Sequence, residues 1–234
     1  MTVFQKSIYC NSCEECNRKS ELFRLLTPEE TIILNEDRFE VQFKTGENIA
    51  KQGTKLTHLI NLTSGLVKIY IEGLSGRSVM LNLIGPYSII GGPGLFTDGK
   101  FHFSVTALEE TSVCFINAEY FKEVLDLNKI FAAAYFKHLS MKQLGLYERL
   151  VCLTQKQMHG KLADALLYLS EKIYKSTDFE INISRQDIAD MTAMSKDSAI
   201  RILKEFEKDG IILSKGRRII ILKMEALREI SQKG

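Results

Sequence analysis

Three cysteines crowd together near the amino terminus in a spacing that suits metal binding. Cys10, Cys13 and Cys16 fall within seven residues, and the chain of 234 residues contains five cysteines in all. An odd, clustered set fits a reducing compartment and a bound metal better than a framework of disulfides. A second interpretation stays open, in which the three form a zinc-binding arm and Cys114 and Cys152 are small core residues.

A second group of polar residues, in the last third of the chain, could contact the bases of DNA. Lys196, Asp197, Ser198 and Arg201 lie at the start of a predicted helix. An arginine can donate two hydrogen bonds to guanine O6 and N7, and a carboxylate can accept one from cytosine N4. Because Asp197 and Arg201 are four residues apart, they project from one face of a helix. We therefore predict that both contact base edges.

Cations near these residues could contact phosphates, which position a protein on DNA without specifying sequence. The candidates are Arg185, Lys196, Lys215, Arg217 and Arg218. The net charge is only +2, but residues 155–234 hold 15 lysines and arginines against 12 acidic residues. For any one of these cations alone, a solvated surface charge is the simpler interpretation.

Other functional classes find little support in the sequence. The four histidines, His58, His102, His138 and His159, are dispersed and form no paired ligand motif. This argues against a cupin-like metalloenzyme, and no nucleophile-base arrangement stands out, so we predict no enzymatic activity. No apolar stretch approaches the ~20 residues of a membrane span, and Met1–Tyr9 lacks the order of a secretory signal. We expect a cytoplasmic protein.

The elements that would position the DNA contacts are two short helices and a hairpin. Helices are predicted over Arg185–Met191 and Lys196–Lys208, each preceded by a serine that can cap its first turn. Two helices joined by so short a turn match a helix-turn-helix. Two isoleucine-rich runs after Gly210 flank Ser214–Arg218, which predicts a hairpin with a cationic tip. Together these elements predict a winged helix-turn-helix.

The first half of the chain has the pattern of a β-roll. Short apolar runs, separated by glycine-rich turns, predict strands over residues 40–43, 66–71, 79–84 and 112–116. Turn signals then stop, and one long helix is predicted over residues 127–153, with a further helix over residues 156–174.

The long helix carries two apolar stripes at helical spacing. One contains Phe136, Leu139, Leu146, Leu150 and Leu153, and the other contains Ile130, Met141, Leu144 and Val151. One stripe can face its own domain and the other a partner, which predicts a dimer. The alternative is that a single large core takes up both stripes.

The predicted fold is α+β, with three parts. Residues 1–126 form a cysteine-containing arm and a β-roll sensor, residues 127–153 a dimerisation helix, and residues 154–234 a winged helix-turn-helix.

The stretch Ile183–Ile212 resembles the helix-turn-helix of the Crp/Fnr family of bacterial transcriptional regulators along its whole length. The resemblance continues in Ser64–Tyr70, Gly91–Phe96 and Ala107–Ile116, so it covers most of the chain. It implies a homodimer that binds a palindromic operator in double-stranded DNA, with RNA polymerase as a further partner. By that similarity Arg201 and Asp197 are the principal base readers, although the family more often has glutamate at the latter position.

The resemblance also indicates where a signal would be received. Family members similar to the cyclic-AMP receptor protein hold the nucleotide with a Gly-Glu-Leu segment and an Arg-Ser pair. The corresponding positions here are Gly91 and Gly92, and Phe101 and His102. Without the arginine and the carboxylate, the phosphate and ribose would lose their partners. We therefore predict an effector pocket at these residues that does not bind cyclic AMP. Binding of another small molecule there remains an open alternative.

The cysteines make the chain more similar to Fnr-like members than to the cyclic-AMP receptor protein. Fnr-like proteins carry an amino-terminal cysteine cluster and one cysteine in the β-roll, the position that Cys114 holds here. The resemblance thus implies a 4Fe–4S cluster held by Cys10, Cys13, Cys16 and Cys114, although their spacing is tighter than the usual Fnr pattern. Loss of the cluster to oxygen or nitric oxide would then weaken the dimer and DNA binding.

Overall fold

A computed structural model of the chain describes Cys16 and residues 18–234, which form two compact units. The first unit comprises the described residues up to Glu72 together with Leu83–Gln143. The second comprises Gly73–Asn82 together with Leu144–Gly234. The mixture of strands and helices confirms the predicted α+β class. Cys10 and Cys13 lie outside the described residues.

The β-roll consists of two antiparallel sheets. Its strands are β1 (Phe39–Phe43), β2 (Asn48–Ala50), β3 (His58–Ser64), β4 (Val67–Glu72), β5 (Ser78–Ile84), β6 (Ser88–Ile90), β7 (Ser104–Ala107) and β8 (Thr111–Asn117). One sheet has the order β1-β8-β3-β6 and the other β2-β7-β4-β5. Leu59, Leu62, Val67, Val105 and Val113 are fully buried and form the centre of its core.

Half of these strands were predicted from the sequence, and three of the four missed strands have a physical reason. The predicted runs correspond to β1, β4, β5 and β8. The strands β2 and β6 have only three residues each, too few to show a period of two. The central residues of β3 are all buried, so the strand lacks the alternation of a half-exposed strand.

Three helices accompany the β-roll in the chain. They are α1 (Pro28–Asn35), α2 (Ala118–Leu127) and α3 (Lys129–Gln155). Thr27 caps α1 through a reciprocal pair of hydrogen bonds with Glu30. The start of α3 is held by an aromatic cluster, because Phe131 is fully buried and its ring lies 5.6 Å from that of Phe121.

The long helix begins two residues later than predicted, because Asn128 interrupts it. The Asn128 N–H donates to the carbonyl of Val124 and ends α2. Its Oδ1 accepts from the N–H of Phe131 at 2.9 Å, which caps the first turn of α3.

The expected division of the two apolar stripes of α3 is wrong. Members of both stripes are exposed, among them Ile130 (72%), Phe136 (73%), Met141 (60%) and Leu150 (61%). The residues of α3 that are buried are instead Phe131 and Tyr135. Most residues of both predicted stripes therefore remain exposed in the single chain, whereas Leu139 and Leu153 are half-buried.

The second unit contains the predicted winged helix-turn-helix. Its further elements are α4 (Met158–Tyr168), β9 (Asp178–Glu180), α5 (Arg185–Thr192), α6 (Lys196–Lys208), β10 (Ile212–Lys215), β11 (Arg218–Ile221) and α7 (Met224–Lys233). The helix predicted over residues 156–174 is shorter, because a π-helical turn over Leu169–Tyr174 follows α4 and ends at Lys175 in the left-handed region. The strand β9 was not predicted, and it joins the wing in the order β10-β11-β9.

Candidate DNA-binding interface and cysteine pocket

Side-chain caps fix the starts of both α5 and α6. Ser184 accepts from the N–H of Asp187 at 3.1 Å, and the Asp187 carboxylate accepts from the N–H of Ser184 at 2.8 Å. Ser195 accepts from the N–H of Ser198 at 3.1 Å. These caps satisfy amides that the first helical turns leave without partners, so the two helices start at defined residues.

The helix α6 separates a packing face from a polar face. Ala199, Ile202, Leu203 and Phe206 are buried. Ile200, on the same helix, is only half-buried. The polar residues predicted to contact DNA lie outside this core, since Lys196, Asp197 and Arg201 are exposed and Ser198 is half-buried. The structure therefore brings these four residues onto the accessible part of one helix.

Arg201 is held by a carboxylate that the sequence reasoning did not single out. Its Nη1 donates to Oε1 of Glu205 at 2.6 Å, and Oε2 of the same carboxylate lies 2.7 Å from Nε2 of His159 on α4. These hydrogen bonds, that of His159 foremost, hold the pKa of Glu205 below its ordinary value. The pair has the i, i+4 spacing of helical ion pairs, which is the signal that could have identified Glu205.

The predicted phosphate contacts of the wing differ in how they are engaged. Lys215 and Arg217 are exposed. Arg185 is half-buried, and its Nη2 donates to Ser214 Oγ at 3.1 Å and to the carbonyl of Gly216 at 3.2 Å. Arg185 thus ties the start of α5 to the wing.

Arg218, the last of the predicted phosphate contacts, faces a partner within the chain. Its Nε and Nη2 donate to the two carboxylate oxygens of Asp178 at 2.7 and 2.5 Å. This forked ion pair raises the pKa of Arg218 and lowers that of Asp178. The guanidinium therefore links β11 to β9.

Two of the four predicted cluster ligands meet in one pocket of the first unit. Cys16 and Cys114 both line it, and three cations, Arg18, Lys19 and Arg38, line it as well. The rest of the lining is Phe23, Leu26, Thr31, Leu34, Glu40, Asn61, Thr63 and Ile116. No group of three or more metal-binding side chains occurs among residues 16 and 18–234. Cys10 and Cys13 lie outside these residues.

The predicted effector positions are closely packed. A side chain at Gly91 would meet Leu59 at 2.9 Å, and one at Gly92, whose φ is +80°, would meet the ring of Phe103 at 2.7 Å. Phe101 is 6% exposed, and the exposed His102 places Nε2 3.0 Å from Oδ1 of Asp98. In place of an exposed guanidinium, this part of the roll presents buried aromatic rings.

Comparison with known proteins gives two family matches. Residues 40–128 match the family model described as a cyclic nucleotide-binding domain, and residues 160–230 match a Crp-like helix-turn-helix domain. The chain belongs to the Crp/Fnr family of transcriptional regulators. The predicted resemblance and the predicted DNA-binding function are therefore confirmed.

Individual relatives are distant but cover most of the regulator. It is 23% identical to the cAMP-activated global transcriptional regulator CRP of Salmonella typhimurium, over 77% of this chain and 88% of that protein. It is 21% identical to the transcriptional activator protein FnrL of Cereibacter sphaeroides, over 95% and 92%. The structure of FixK2 from Bradyrhizobium japonicum matches with a TM-score of 0.75 at 17% identity, over 82% and 96%, which confirms the fold.

Across residues 16 and 18–234, no helix combines the length and the apolar character that crossing a bilayer would require.

Proposed function

We propose that this regulator is a homodimer that binds a palindromic DNA operator through α6 and changes its affinity when the first unit receives a signal. The observation that carries the proposal is α6 itself, a capped helix whose packing face is buried and whose polar face is accessible. A helix of this kind fits the major groove, where side chains of its first turns reach base edges. Arg201 and Asp197 are the base readers, and Lys196 and Ser198 their neighbours.

The remaining DNA contacts are assigned from the solvent exposure of the cationic side chains of the wing. Lys215 and Arg217 contact phosphates from the wing, because both side chains are exposed at its tip. Arg185 supports these contacts by holding the wing against α5.

Replacement of Arg201 by alanine tests the base contact. The probe is a duplex selected by the wild-type protein from a random library, with a scrambled duplex for nonspecific binding. A bidentate contact discriminates by about 1–3 kcal/mol, so affinity for the selected duplex falls roughly 5–150-fold while nonspecific binding changes little. Arg228→Ala is the matched control, since Arg228 has similar side-chain exposure (46% against 53%) and is also paired with glutamate.

Binding to each duplex is measured by an anisotropy titration. Two outcomes contradict the proposal. If Arg201→Ala binds the selected duplex as tightly as the wild type does, Arg201 makes no base contact. If Arg201→Ala lowers the affinity of the protein equally for the selected and the scrambled duplex, Arg201 only positions the protein on the DNA backbone.

The dimer is supported by the exposed apolar residues of α3. Ile130, Phe136, Met141, Leu144 and Leu150 are each more than half exposed in the single chain. Ile130, Met141 and Leu144 belong to one of the two stripes and Phe136 and Leu150 to the other, and exposed apolar surface of this kind marks an interaction site. A second copy of α3 across a twofold axis would cover it, and a dimer with twofold symmetry suits a palindromic operator.

The roles divide the chain as the sequence suggested: sensor over residues 1–126, dimerisation helix over residues 127–153, and DNA binding over residues 154–234. The relative from Cereibacter sphaeroides is named a transcriptional activator, which supports RNA polymerase as a further partner. We place the regulator in the cytoplasm with the DNA it binds, and assign it no enzymatic activity.

The signal we propose is received by a 4Fe–4S cluster on Cys10, Cys13, Cys16 and Cys114. Cys16 and Cys114, about one hundred positions apart in the chain, line the same pocket. Cations at Arg18, Lys19 and Arg38 would offset the negative charge of thiolate ligands and cluster. The two described cysteines and their surroundings therefore fit such a group, which when bound supplies a centre sensitive to oxygen and redox state.

An iron and sulfide assay with an absorption spectrum tests the cluster, on protein purified without oxygen. The expected result is broad absorbance near ~400 nm with stoichiometric iron, lost in Cys114→Ser. Cys152→Ser is the control, because Cys152 lies on α3 and is not among the residues that line the pocket. A colourless, iron-free wild type would contradict the cluster and favour a small-molecule effector in the β-roll. Cyclic AMP is not proposed, since Phe101 is buried where an arginine would hold the phosphate.

A further inference from the structure

One carboxylate on α6 joins the proposed base reader to a neighbouring helix. Oε1 of Glu205 accepts from Nη1 of Arg201 at 2.6 Å, and Oε2 lies 2.7 Å from Nε2 of His159 on α4. The pKa of Glu205 lies below its ordinary value, so the carboxylate is ionised at neutral pH and can only accept hydrogen bonds. Nε2 of His159 is therefore the donor. Each oxygen of the carboxylate thus holds a different side chain, one from each helix.

The imidazole of His159 lies against the core of the helix-turn-helix. Its ring centroid is 6.0 Å from that of Phe206, which belongs to the buried packing face of α6. The side chains of Arg201 and Glu205 are 53% and 39% exposed. An exposed ion pair alone is weak, because water screens it and both long side chains must be held still. The hydrogen bond from His159 anchors the carboxylate from a second helix, which an isolated i, i+4 pair lacks.

The anchored pair leaves Arg201 able to contact a base. A guanidinium carries five N–H donors, and a bidentate contact with guanine O6 and N7 uses two of them. The hydrogen bond to Glu205 uses one donor, on Nη1. Ordering a long side chain at an interface costs free energy, and a side chain that is ordered beforehand avoids much of this cost. The carboxylate would therefore order the guanidinium before DNA is bound.

We propose that Glu205 and His159 are positioning residues that hold Arg201 for its contact with guanine and so set the base specificity of the regulator. The inference rests on the proposed role of Arg201 as a base reader. It distinguishes Glu205 from an ordinary surface acid. The negative charge of Glu205 opposes binding to any DNA, whereas its hydrogen bond to Arg201 favours one base. Removal of the side chain should therefore strengthen nonspecific binding and weaken specificity.

The test is an anisotropy titration of the full-length Glu205→Ala variant with the selected and the scrambled duplexes described above. Specificity is the ratio of the affinity for the selected duplex to the affinity for the scrambled duplex. We expect this ratio to fall roughly 2–10-fold, which is the cost of ordering one long side chain. Affinity for the scrambled duplex should equal or exceed that of the wild type, because a negative charge is lost. His159→Leu keeps apolar bulk beside Phe206 without the donor, so it should lower the ratio by a smaller factor.

Two further variants separate positioning from charge. Glu205→Gln removes the same charge but keeps an oxygen that can accept from Arg201, so its specificity should stay closer to the wild type than that of Glu205→Ala. Glu229→Ala is the matched control and should keep the wild-type ratio, because Glu229 also forms an i, i+4 ion pair, with Lys233, but lies on α7. Circular-dichroism melting verifies the fold of each variant, and His159→Leu provides a second measurement if Glu205→Ala does not fold.

The double variant Arg201→Ala/Glu205→Ala distinguishes this inference from the proposed base contact. If Glu205 acts through Arg201, the double variant should be no less specific than Arg201→Ala. Full specificity in Arg201→Ala would overturn the base contact and the inference together. If Arg201→Ala loses specificity while Glu205→Ala and His159→Leu keep the wild-type ratio, the inference alone is overturned. The same holds if Glu205→Ala lowers the ratio by an equal factor with and without Arg201, because Glu205 would then act independently.

Discussion

Replacement of Leu146 by glutamate tests whether α3 pairs two subunits. Leu146 is 47% exposed in the single chain. Complete burial of a leucine contributes about 1.5–3 kcal/mol, so covering the exposed half contributes roughly 0.7–1.4 kcal/mol. In a twofold dimer each residue acts twice, which gives roughly 1.4–2.8 kcal/mol, or a 10–100-fold weaker dimer. Two glutamates brought together at the interface would weaken it further.

Sedimentation equilibrium over a range of protein concentrations measures this change. Wild-type protein should approach twice 26.6 kDa, and Leu146→Glu should shift toward 26.6 kDa by the expected factor in its dissociation constant. Ile32→Glu on α1 is the control, because Ile32 is equally apolar and 57% exposed but lies outside α3. A Leu146→Glu dimer as tight as the wild-type dimer, or a monomeric wild type, would refute pairing through α3.

Two further predictions concern the second unit. Ser184→Ala removes the cap of α5 and should destabilise the protein by about 1 kcal/mol, which lowers the melting temperature by about 2–4 °C in calorimetry. Ser140→Ala, at an exposed position of α3, is the control and should leave the melting temperature unchanged. Equal melting temperatures for the two variants would rule out the cap as a stabilising contact. Burial, with a hydrogen bond to Asp164, raises the pKa of the Cys152 thiol to about 11 from its ordinary 9.0. The folded state therefore favours the protonated thiol. The stability that this preference contributes is lost as the pH rises from 9 toward 11. Alkylation of Cys152, followed by mass spectrometry at pH 8.5, should therefore be slower in the folded protein than in urea, and Asp164→Asn should reduce the difference; identical rates in both states would contradict it.

Much of the DNA-binding unit could be predicted from the sequence, because its signals are local. Ser195 and the apolar spacing of Ala199, Ile202 and Leu203 define α6, and the predicted bounds Lys196–Lys208 agree with the structure. Caps and helical periodicity act over a few residues, so they can be identified without knowledge of the rest of the chain. The partner of Arg201 also lies within one helical turn, although only the structure shows that His159 on α4 shares it.

The β-roll was less predictable, since its strands derive their order and register from contacts distant in sequence. Three-residue strands such as β2 and β6 carry no pattern of their own, and they form because β7 and β3 offer them backbone partners. The two apolar stripes of α3 were correctly identified as apolar. Which residues of the helix are buried depends on the aromatic cluster around Phe121, and this selected Phe131 and Tyr135 instead.

The sequence by itself determined the family and the helix-turn-helix, and it supplied the residues predicted to contact bases and the cysteines that suggest a metal. Tertiary structure alone decided that Cys16 and Cys114 share a pocket, and that Arg38 donates to a sulfur 76 positions away. The physical reason is that local caps and periodicities are written in neighbouring residues. A pocket, by contrast, is created where strand register brings remote side chains onto one face, as it does for Glu40, Cys114 and Asn61.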